Sequence, residues 1–123
     1  MAGDQGEEEG ERAMSIESRI EAALASFGYP VYPETYSGDE LKYFTFNQDT
    51  FGDDHGDNKP QHEIALIQVH FFCPVDFNSV ATRKSIKRKL FEAGFGYPPM
   101  TGAGDKNGQH WVFEVSAAEG VEM

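Results

Sequence analysis

The chain has 123 residues, a net charge of −11 and an isoelectric point of about 4.6. A chain of this length buries enough surface for one hydrophobic core, so a second core is not expected. The strong negative charge excludes a protein whose main role is to coat phosphate backbones, and we expect no direct binding of nucleic acid.

The first predicted element is a helix, and an acidic leader precedes it. Residues 1–13 combine glycine with a run of glutamates and have no apolar face, so we expect them to be a disordered acidic leader. Ser15 is a favourable N-cap, and apolar residues follow it at helical spacing up to Phe27. Gly28 can adopt the left-handed conformation that ends a helix, and Pro30 cannot continue one. The sequence therefore predicts a first helix from Ser15 to Phe27.

Two short extended segments follow this helix. The segment VYPETYS begins at Val31 and contains Pro33, which suits an edge strand. After a turn at residues 37–40, the segment LKYFTFN is rich in residues that favour strands. We expect the two segments to pair as a β-hairpin. Residues 48–61 are mostly Gly, Asp, Asn and Pro and have little to bury, so a mobile loop is predicted there.

The run HEIALIQVHFFC at residues 62–73 is predicted to be the central strand of the sheet. Both of its faces are largely apolar, which is typical of an interior strand. His70 lies on one face and is expected to be a hydrogen-bonded core or interface residue. Cys73 is the only cysteine, so no intramolecular disulfide can form. We expect its thiol to be a small buried hydrophobic group.

A second helix is predicted over residues 79–93, with Asn78 or Ser79 as its cap. Gly94 ends this helix in the same way that Gly28 ends the first one. The helix has one apolar stripe, which consists of Ile86, Leu90 and Ala93 and is flanked by Val80 and Phe91.

The last predicted elements are an extended segment, a glycine-rich turn and a strand. TGAGDKNGQ has the composition of a hairpin turn, and HWVFEVS has the alternation of a strand. We expect three of its side chains to point to the core, namely those of Trp111, Phe113 and Val115. The pattern is lost from residue 117 onward, and residues 119–123 are expected to form a frayed C-terminus.

The tetrapeptide FGYP occurs twice, at residues 27–30 and 95–98, each time directly after a predicted helix. In both copies glycine reverses the chain and proline prevents further helix. Capping chemistry explains the repeat, and an ancient duplication stays open as an alternative. The order of elements, α-β-β-β-α-β-β, predicts an α+β fold over residues 14–118. In this fold a sheet of four to five strands packs against two helices.

The densest polar cluster falls in the predicted mobile loop. An EF-hand requires glycine at its sixth position and glutamate at its twelfth. Counted from Asp53, glycine falls at the fourth position and isoleucine at the twelfth, so the sequence does not match. A solvated mobile loop and a weak site for a divalent ion both stay open, and we predict no specific metal site. The carboxylates that we consider candidates for a contact with another protein are Asp49, Asp53, Asp54 and Asp57.

Motifs of common catalytic and cofactor sites do not occur in the sequence. It has no GxxxxGK segment, no GxGxxG segment after a strand and no serine in a nucleophile elbow. The four histidines form no i, i+4 pair on a predicted helix and have no cysteine partner at zinc-site spacing. No apolar run approaches the roughly 18 residues of a membrane span. We therefore expect a protein that is not an enzyme, needs no cofactor and has no membrane partner.

The second predicted helix carries five of the ten basic residues of the chain within seven positions. An ordinary solvated helix face is one interpretation. The other is a contact with an acidic patch, either on a partner or on a neighbouring copy of the chain. A contact between two different surfaces of the same protein can close into a ring. The basic residues that we consider candidates for such a contact are Arg83, Lys84, Lys87 and Arg88.

The chain from residue 15 to about residue 116 resembles a known family. The stretches that carry the resemblance are SRIEAALASFGYPVYPETYSGDE, YFTFN and IQVHFFCPVDFNSVATRKSIKRKLFEAGFGYP. They resemble small tail components of long-tailed bacteriophages and prophages, in particular the tail-terminator or tail-completion proteins. The shared features are a short helix ending in GYP, a hairpin, a long strand reading QVHFFCP and a basic helix ending in AGF before the final strands. None of these motifs is catalytic.

This resemblance implies a mixed sheet backed by two helices and assembly as a hexameric ring at the end of the tail. The implied partners are further copies of the chain, the tail-tube protein and the head-connector protein. The implied location is the host bacterial cytoplasm during assembly and then the virion tail. The loop at residues 49–61 would be free in the monomer and ordered in the ring.

Two other functions stay open from the sequence. One is a small regulatory or divalent-ion-binding α+β module that uses the acidic loop. The other is an acidic decoy that occupies a nucleic-acid-binding protein of the host.

Overall fold

The computed structural model describes residues 15–52 and 62–120, and their architecture is α+β. A mixed sheet of five strands packs against two helices. The helices are α1, Ile16–Leu24, and α2, Val80–Leu90. The strands are β1, Val31–Pro33; β2, Tyr43–Gly52; β3, His62–Cys73; β4, Met100–Gly102; and β5, Gln109–Gly120. The predicted fold class and the predicted order of elements are confirmed.

The strands lie in the order β1-β2-β3-β5-β4, so β3 is the central strand, as predicted. It pairs antiparallel with β2 on one side and with β5 on the other. β4 pairs antiparallel with β5, and the turn between them closes through a bridge from Asp105 to Gly108. This second hairpin is confirmed.

The predicted hairpin between the first two strands is wrong, because β1 pairs parallel with β2. A hairpin requires the chain to reverse once at the turn. Here the connection at residues 34–42 carries the chain back, so that Val31 lies beside Phe44 at the start of β2. Glu34 begins this return with a positive φ of 68°. Its backbone N–H still donates to the carbonyl oxygen of Phe46 at 2.8 Å, which keeps β1 attached to the sheet edge.

Two predicted boundaries are also wrong, because β2 and β5 are longer than their sequences suggest. β2 continues through Gly52, so residues 48–52 belong to a strand and not to the predicted loop. β5 continues through Gly120, which lies opposite His62 of β3, so residues 119 and 120 are not frayed. Pairing with the central strand supplies backbone hydrogen bonds that do not depend on side-chain type. The predicted leader at residues 1–13 lies outside the described part of the chain. Residues 14, 53–61 and 121–123 also lie outside it.

The core lies between the helices and one face of the sheet. α1 contributes Ile16, Ile20 and Leu24, while α2 contributes Ile86 and Leu90. Every second residue of the long strands completes it: Phe44, Phe46, Ala65, Ile67, Val69, Phe71, Cys73, Phe113 and Val115. Trp111 is half-buried against this cluster. Val80 and Phe91 were expected beside the apolar stripe of α2, and both are exposed there rather than part of the core.

Both helices begin largely as their sequences predict, and each continues beyond its α-helical part. A 3-10 turn, Ala25–Phe27, follows α1, and a π-helical turn, Phe91–Phe95, follows α2. The hydroxyl of Ser15 accepts a hydrogen bond from the N–H of Ser18 at 3.0 Å. For α2 the cap is supplied by Asn78, whose Oδ1 accepts from the N–H of Val80 at 3.3 Å. Gly28 and Gly94 both have positive φ, at 78° and 94°. The two FGYP copies therefore share their stop chemistry, although the strands after them pair differently.

The substitution Gly28→Ala is expected to lower the free energy of unfolding by about 1–2 kcal/mol, because a Cβ is disfavoured at this φ of 78°. No heavy atom lies within 4 Å of that Cβ, so the loss measures the backbone alone. The control is Gly108→Ala, where the added Cβ makes an ordinary contact 3.5 Å from the carbonyl oxygen of Cys73. Urea unfolding of the three proteins compares them, and equal losses in both variants would contradict a left-handed helix end at Gly28.

Candidate functional site

The face of the sheet opposite the helices is not covered by any described helix, and we call it the open face. The strand register brings side chains of β2, β3 and β5 together in rows across it. One row contains Tyr43, Phe72 and His110, and another contains Asn47, Gln68 and Glu114. The same strands therefore carry the core on one side and a surface of aromatic and polar groups on the other.

Aromatic rings form a continuous band along one end of the open face. The centroid distances are 5.2 Å for Tyr32–Tyr36 and 4.7 Å for Tyr36–Tyr43. They are 4.7 Å for Tyr43–Phe72 and 4.2 Å for Phe72–His110. These separations are typical of favourable offset or tilted contacts, each worth about 0.5–1.5 kcal/mol beyond area burial. The band starts on the edge strand β1 and ends at His110, near the start of β5.

A chain of hydrogen bonds runs from this band across the open face. Nε2 of His70 lies 2.8 Å from Oδ1 of Asn47, and Nδ1 of His70 lies 2.8 Å from Nε2 of His110. Asn47 then donates to Oε1 of Gln68 at 3.4 Å, and Gln68 donates to a carboxylate oxygen of Glu114 at 3.3 Å. The prediction that His70 is hydrogen-bonded is confirmed.

The direction of these bonds fixes the protonation of the two histidines. Oδ1 of Asn47 can only accept, so Nε2 of His70 carries a hydrogen and its Nδ1 is the acceptor in the neutral ring. The N–H at Nε2 of His110 then donates to it. Protonating both rings would point two N–H groups at each other. Burial and the neighbouring His110 lower the pKa of His70, and burial lowers the pKa of His110.

A groove of about 600 Å³ opens at the end of the sheet where β3 ends, and we call it the end groove. Tyr43, Phe72 and His110 of the aromatic band line it, and the apolar side chains of Leu41 and Val75 are exposed along it. Its lining contains three carboxylates and no lysine or arginine. The carboxylates are Glu40, Asp76 and Asp105, and all three residues are exposed.

The segment that follows β3 forms one wall of the end groove, and Gln109 anchors this segment. Its Nε2 lies 2.9 Å from the carbonyl oxygen of Pro74 and 2.7 Å from that of Phe77. Its Oε1 accepts hydrogen bonds from the hydroxyl of Ser79 at 2.7 Å and from the indole N–H of Trp111 at 2.8 Å. This one amide therefore joins the segment at residues 74–79 to β5.

The four basic residues predicted as contacts on α2 differ in their surroundings. The guanidinium of Arg83 lies 3.9 Å from the ring centre of Trp111, and its Nε donates to the hydroxyl of Ser79 at 2.9 Å. Nζ of Lys87 lies 5.7 Å from the ring centre of Tyr97. Lys84 and Arg88 are exposed. Arg83 thus belongs to the packed structure, while Lys84 and Arg88 are free to meet another molecule.

Of the four predicted acidic contacts, the structure describes Asp49, which is exposed on β2 opposite Leu66. Asp53, Asp54 and Asp57 lie outside the described residues. Within residues 15–52 and 62–120, no three His, Cys, Asp or Glu side chains are grouped closely enough to hold a metal ion. In the same part of the chain, no helix is long and apolar enough to cross a membrane.

Cys73 is buried at the end of β3, as predicted. Burial raises the pKa of its thiol, which keeps the sulfur protonated.

The sequence did not predict the pairing of His70 with His110 or the end groove. His110 comes opposite Phe72 only through the register of β3 and β5, and α2 separates these strands in sequence. The available signal was the alternation in β3, which places Gln68, His70 and Phe72 on one face.

No protein-family model and no curated protein sequence matches this chain. Seventeen chains of solved structures do match it. One of them superposes with a TM-score of 0.58 at 11% sequence identity, over 90% of this chain and 99% of its own length. At this identity the similarity concerns the fold alone, and it extends over nearly all of both chains.

Replacing Arg83 by alanine is expected to lower the free energy of unfolding by about 1–2 kcal/mol, because the contact with Trp111 and the bond to Ser79 are lost. Lys84→Ala and Arg88→Ala are the matched controls and should change it by less than about 0.5 kcal/mol. Chemical denaturation followed by Trp111 fluorescence measures all three. Equal effects of the three substitutions would contradict a packed role for Arg83.

The stability of the protein is expected to fall as the pH drops below about 6.5, the ordinary pKa of histidine. Both folded-state pKa values are lowered, so below that pH the unfolded chain binds more protons than the folded one. The slope attributable to each ring cannot exceed about 1.4 kcal/mol per pH unit. Unfolding free energies at pH 8, 7, 6 and 5 should show this fall in the wild type and less of it in a His70→Gln, His110→Gln double variant. Parallel profiles for the two proteins would show that these histidines do not carry the pH dependence.

Proposed function

We propose that this protein is a non-enzymatic assembly protein of the tail of a long-tailed bacteriophage or prophage. It forms an oligomeric ring at the tail end or at the head-tail junction, in the role of a tail terminator or minor tail protein. It is made in the host bacterial cytoplasm and becomes part of the virion tail. Its partners are further copies of itself, the tail-tube protein and the head-connector protein.

The observation that carries the assembly role is the grouping of large apolar side chains on the surface. One group, Leu41 and Val75, is exposed along the end groove, while Tyr32 and Leu66 are exposed singly on the open face. A second group lies on and just after α2, where Val80, Phe91 and Tyr97 are exposed and the last two rings lie 6.1 Å apart. Single exposed apolar residues are ordinary, but groups of them next to charged residues are typical of protein-protein contacts.

The assignment to a phage tail rests on the sequence resemblance over residues 15–116. That resemblance implied a mixed sheet backed by two helices, which is the fold of this chain. A ring needs two different contact surfaces on each copy. Lys84 and Arg88 are exposed on α2, while the carboxylates of the end groove lie around the ends of β2, β3 and β5, where Lys106 is also exposed beside Asp105.

The purified chain is expected to be mostly monomeric when dilute and to form one discrete oligomer on concentration or with tail-tube protein. Size-exclusion chromatography with light scattering over a concentration series measures the mass. Electron microscopy of a mixture with tube protein then shows whether rings sit at tube ends. A chain that stays monomeric at high concentration and ignores the tube protein would contradict the proposal.

A further inference from the structure

The outward side of α2 combines apolar ends with a cationic centre. Val80, Lys84, Arg88 and Phe91 are spaced by four, four and three positions, so they lie in one line along the helix. All four are exposed. Tyr97 extends this line, because its ring lies 6.1 Å from that of Phe91 and is 62% exposed. We call these five residues the α2 ridge.

The end groove has the matching chemistry. Its aromatic floor presents rings to which ammonium and guanidinium groups are attracted, and carboxylates stand at its rim to pair with such groups. Leu41 and Val75 are 72% and 56% exposed there and would bury apolar area against a partner. With a volume of about 600 Å³, the groove has room for several side chains of a partner helix.

We infer that the end groove of one copy receives the α2 ridge of the next copy. This inference rests on the proposed function and names the two surfaces of its self-contact. Two observations favour a second copy as the occupant. The first is that the acidic surface and the basic surface are both present on one chain. The second is that five of the seven large apolar side chains exposed in the described residues lie on these two surfaces.

The contact is heterologous, because the groove and the ridge consist of different residues. Each copy therefore gives its ridge to one neighbour and its groove to another, and repetition with rotation closes a ring. In this inference the end groove is the partner of the basic helix, in place of the predicted acidic contacts Asp49, Asp53, Asp54 and Asp57. Arg83 does not take part, because it is already held by Trp111 and Ser79.

A charge-swap experiment on the full chain tests this pairing. The ridge variant is Lys84→Glu with Arg88→Glu, and the groove variant is Glu40→Lys with Asp76→Lys. Asp105 is kept, because its side chain accepts from the N–H of Asn107 at 2.8 Å and shapes the turn. The control is Glu17→Lys with Glu21→Lys on α1, two exposed positions whose reversal changes the net charge as much as the groove variant does.

Each contact variant should associate with itself on the order of 100-fold more weakly than the wild type, because like charges would face each other. An equimolar mixture of the two variants should regain association, because the reversed ridge then meets the reversed groove and each unchanged surface meets an unchanged one. Sedimentation velocity measures association, and circular dichroism confirms that the variants fold. The control should associate like the wild type.

The outcomes separate the inference from the proposed function. A wild type that does not associate at all, alone or with tube protein, would sink the proposed function itself. If the wild type associates, three results would overturn the inference alone. They are a contact variant that associates like the wild type, a mixture that fails to regain association, and a control that is as weak as the contact variants.

Discussion

The structure depends on the position of β3, which pairs on both sides while both helices cover only one face of the sheet. Successive side chains of this strand therefore point to different environments. Ile67, Val69 and Phe71 enter the core, and Gln68, His70 and Phe72 lie on the open face. Burying the first set supplies much of the hydrophobic stabilisation, since each such side chain contributes about 1.5–3 kcal/mol. The second set is thereby fixed in place on a rigid sheet. The surface chemistry of the protein is therefore positioned by its core.

The open face is ordered although none of the helices in residues 15–52 and 62–120 covers it. Aromatic contacts and the directed hydrogen bonds from His110 to Glu114 hold its side chains to one another across three strands. The same rings continue into the end groove, where Leu41 and Val75 remain exposed. A preordered surface loses little side-chain entropy when another molecule binds to it. In the proposed self-contact, the exposed cations and rings of the α2 ridge are the surface that meets this groove.

The sequence predicted what depends on local chemistry. Helix ends at Gly28 and Gly94 followed from glycine and proline, and the central strand followed from its apolar run. The parallel pairing of β1 was not predictable, because it depends on how the connection at residues 34–42 returns. The full lengths of β2 and β5 come from pairing with β3, which their side chains do not encode. Of the candidate site, the sequence predicted the basic helix, but the packed role of Arg83 and the end groove required the register of strands that are distant in sequence.

In the proposed assembly, the core side of the sheet excludes water, and the end groove and the α2 ridge become buried against neighbouring copies. Hydroxyl-radical footprinting of the wild-type chain, read by mass spectrometry, tests both parts in one measurement. In dilute solution Leu41, Phe91 and Tyr97 should be oxidised and Phe44 and Phe113 should not. On association Leu41, Phe91 and Tyr97 should become protected while Tyr32, outside both surfaces, stays reactive. Oxidation of Phe44 as fast as Phe91, or full reactivity of Phe91 and Tyr97 in the assembled protein, would contradict this account.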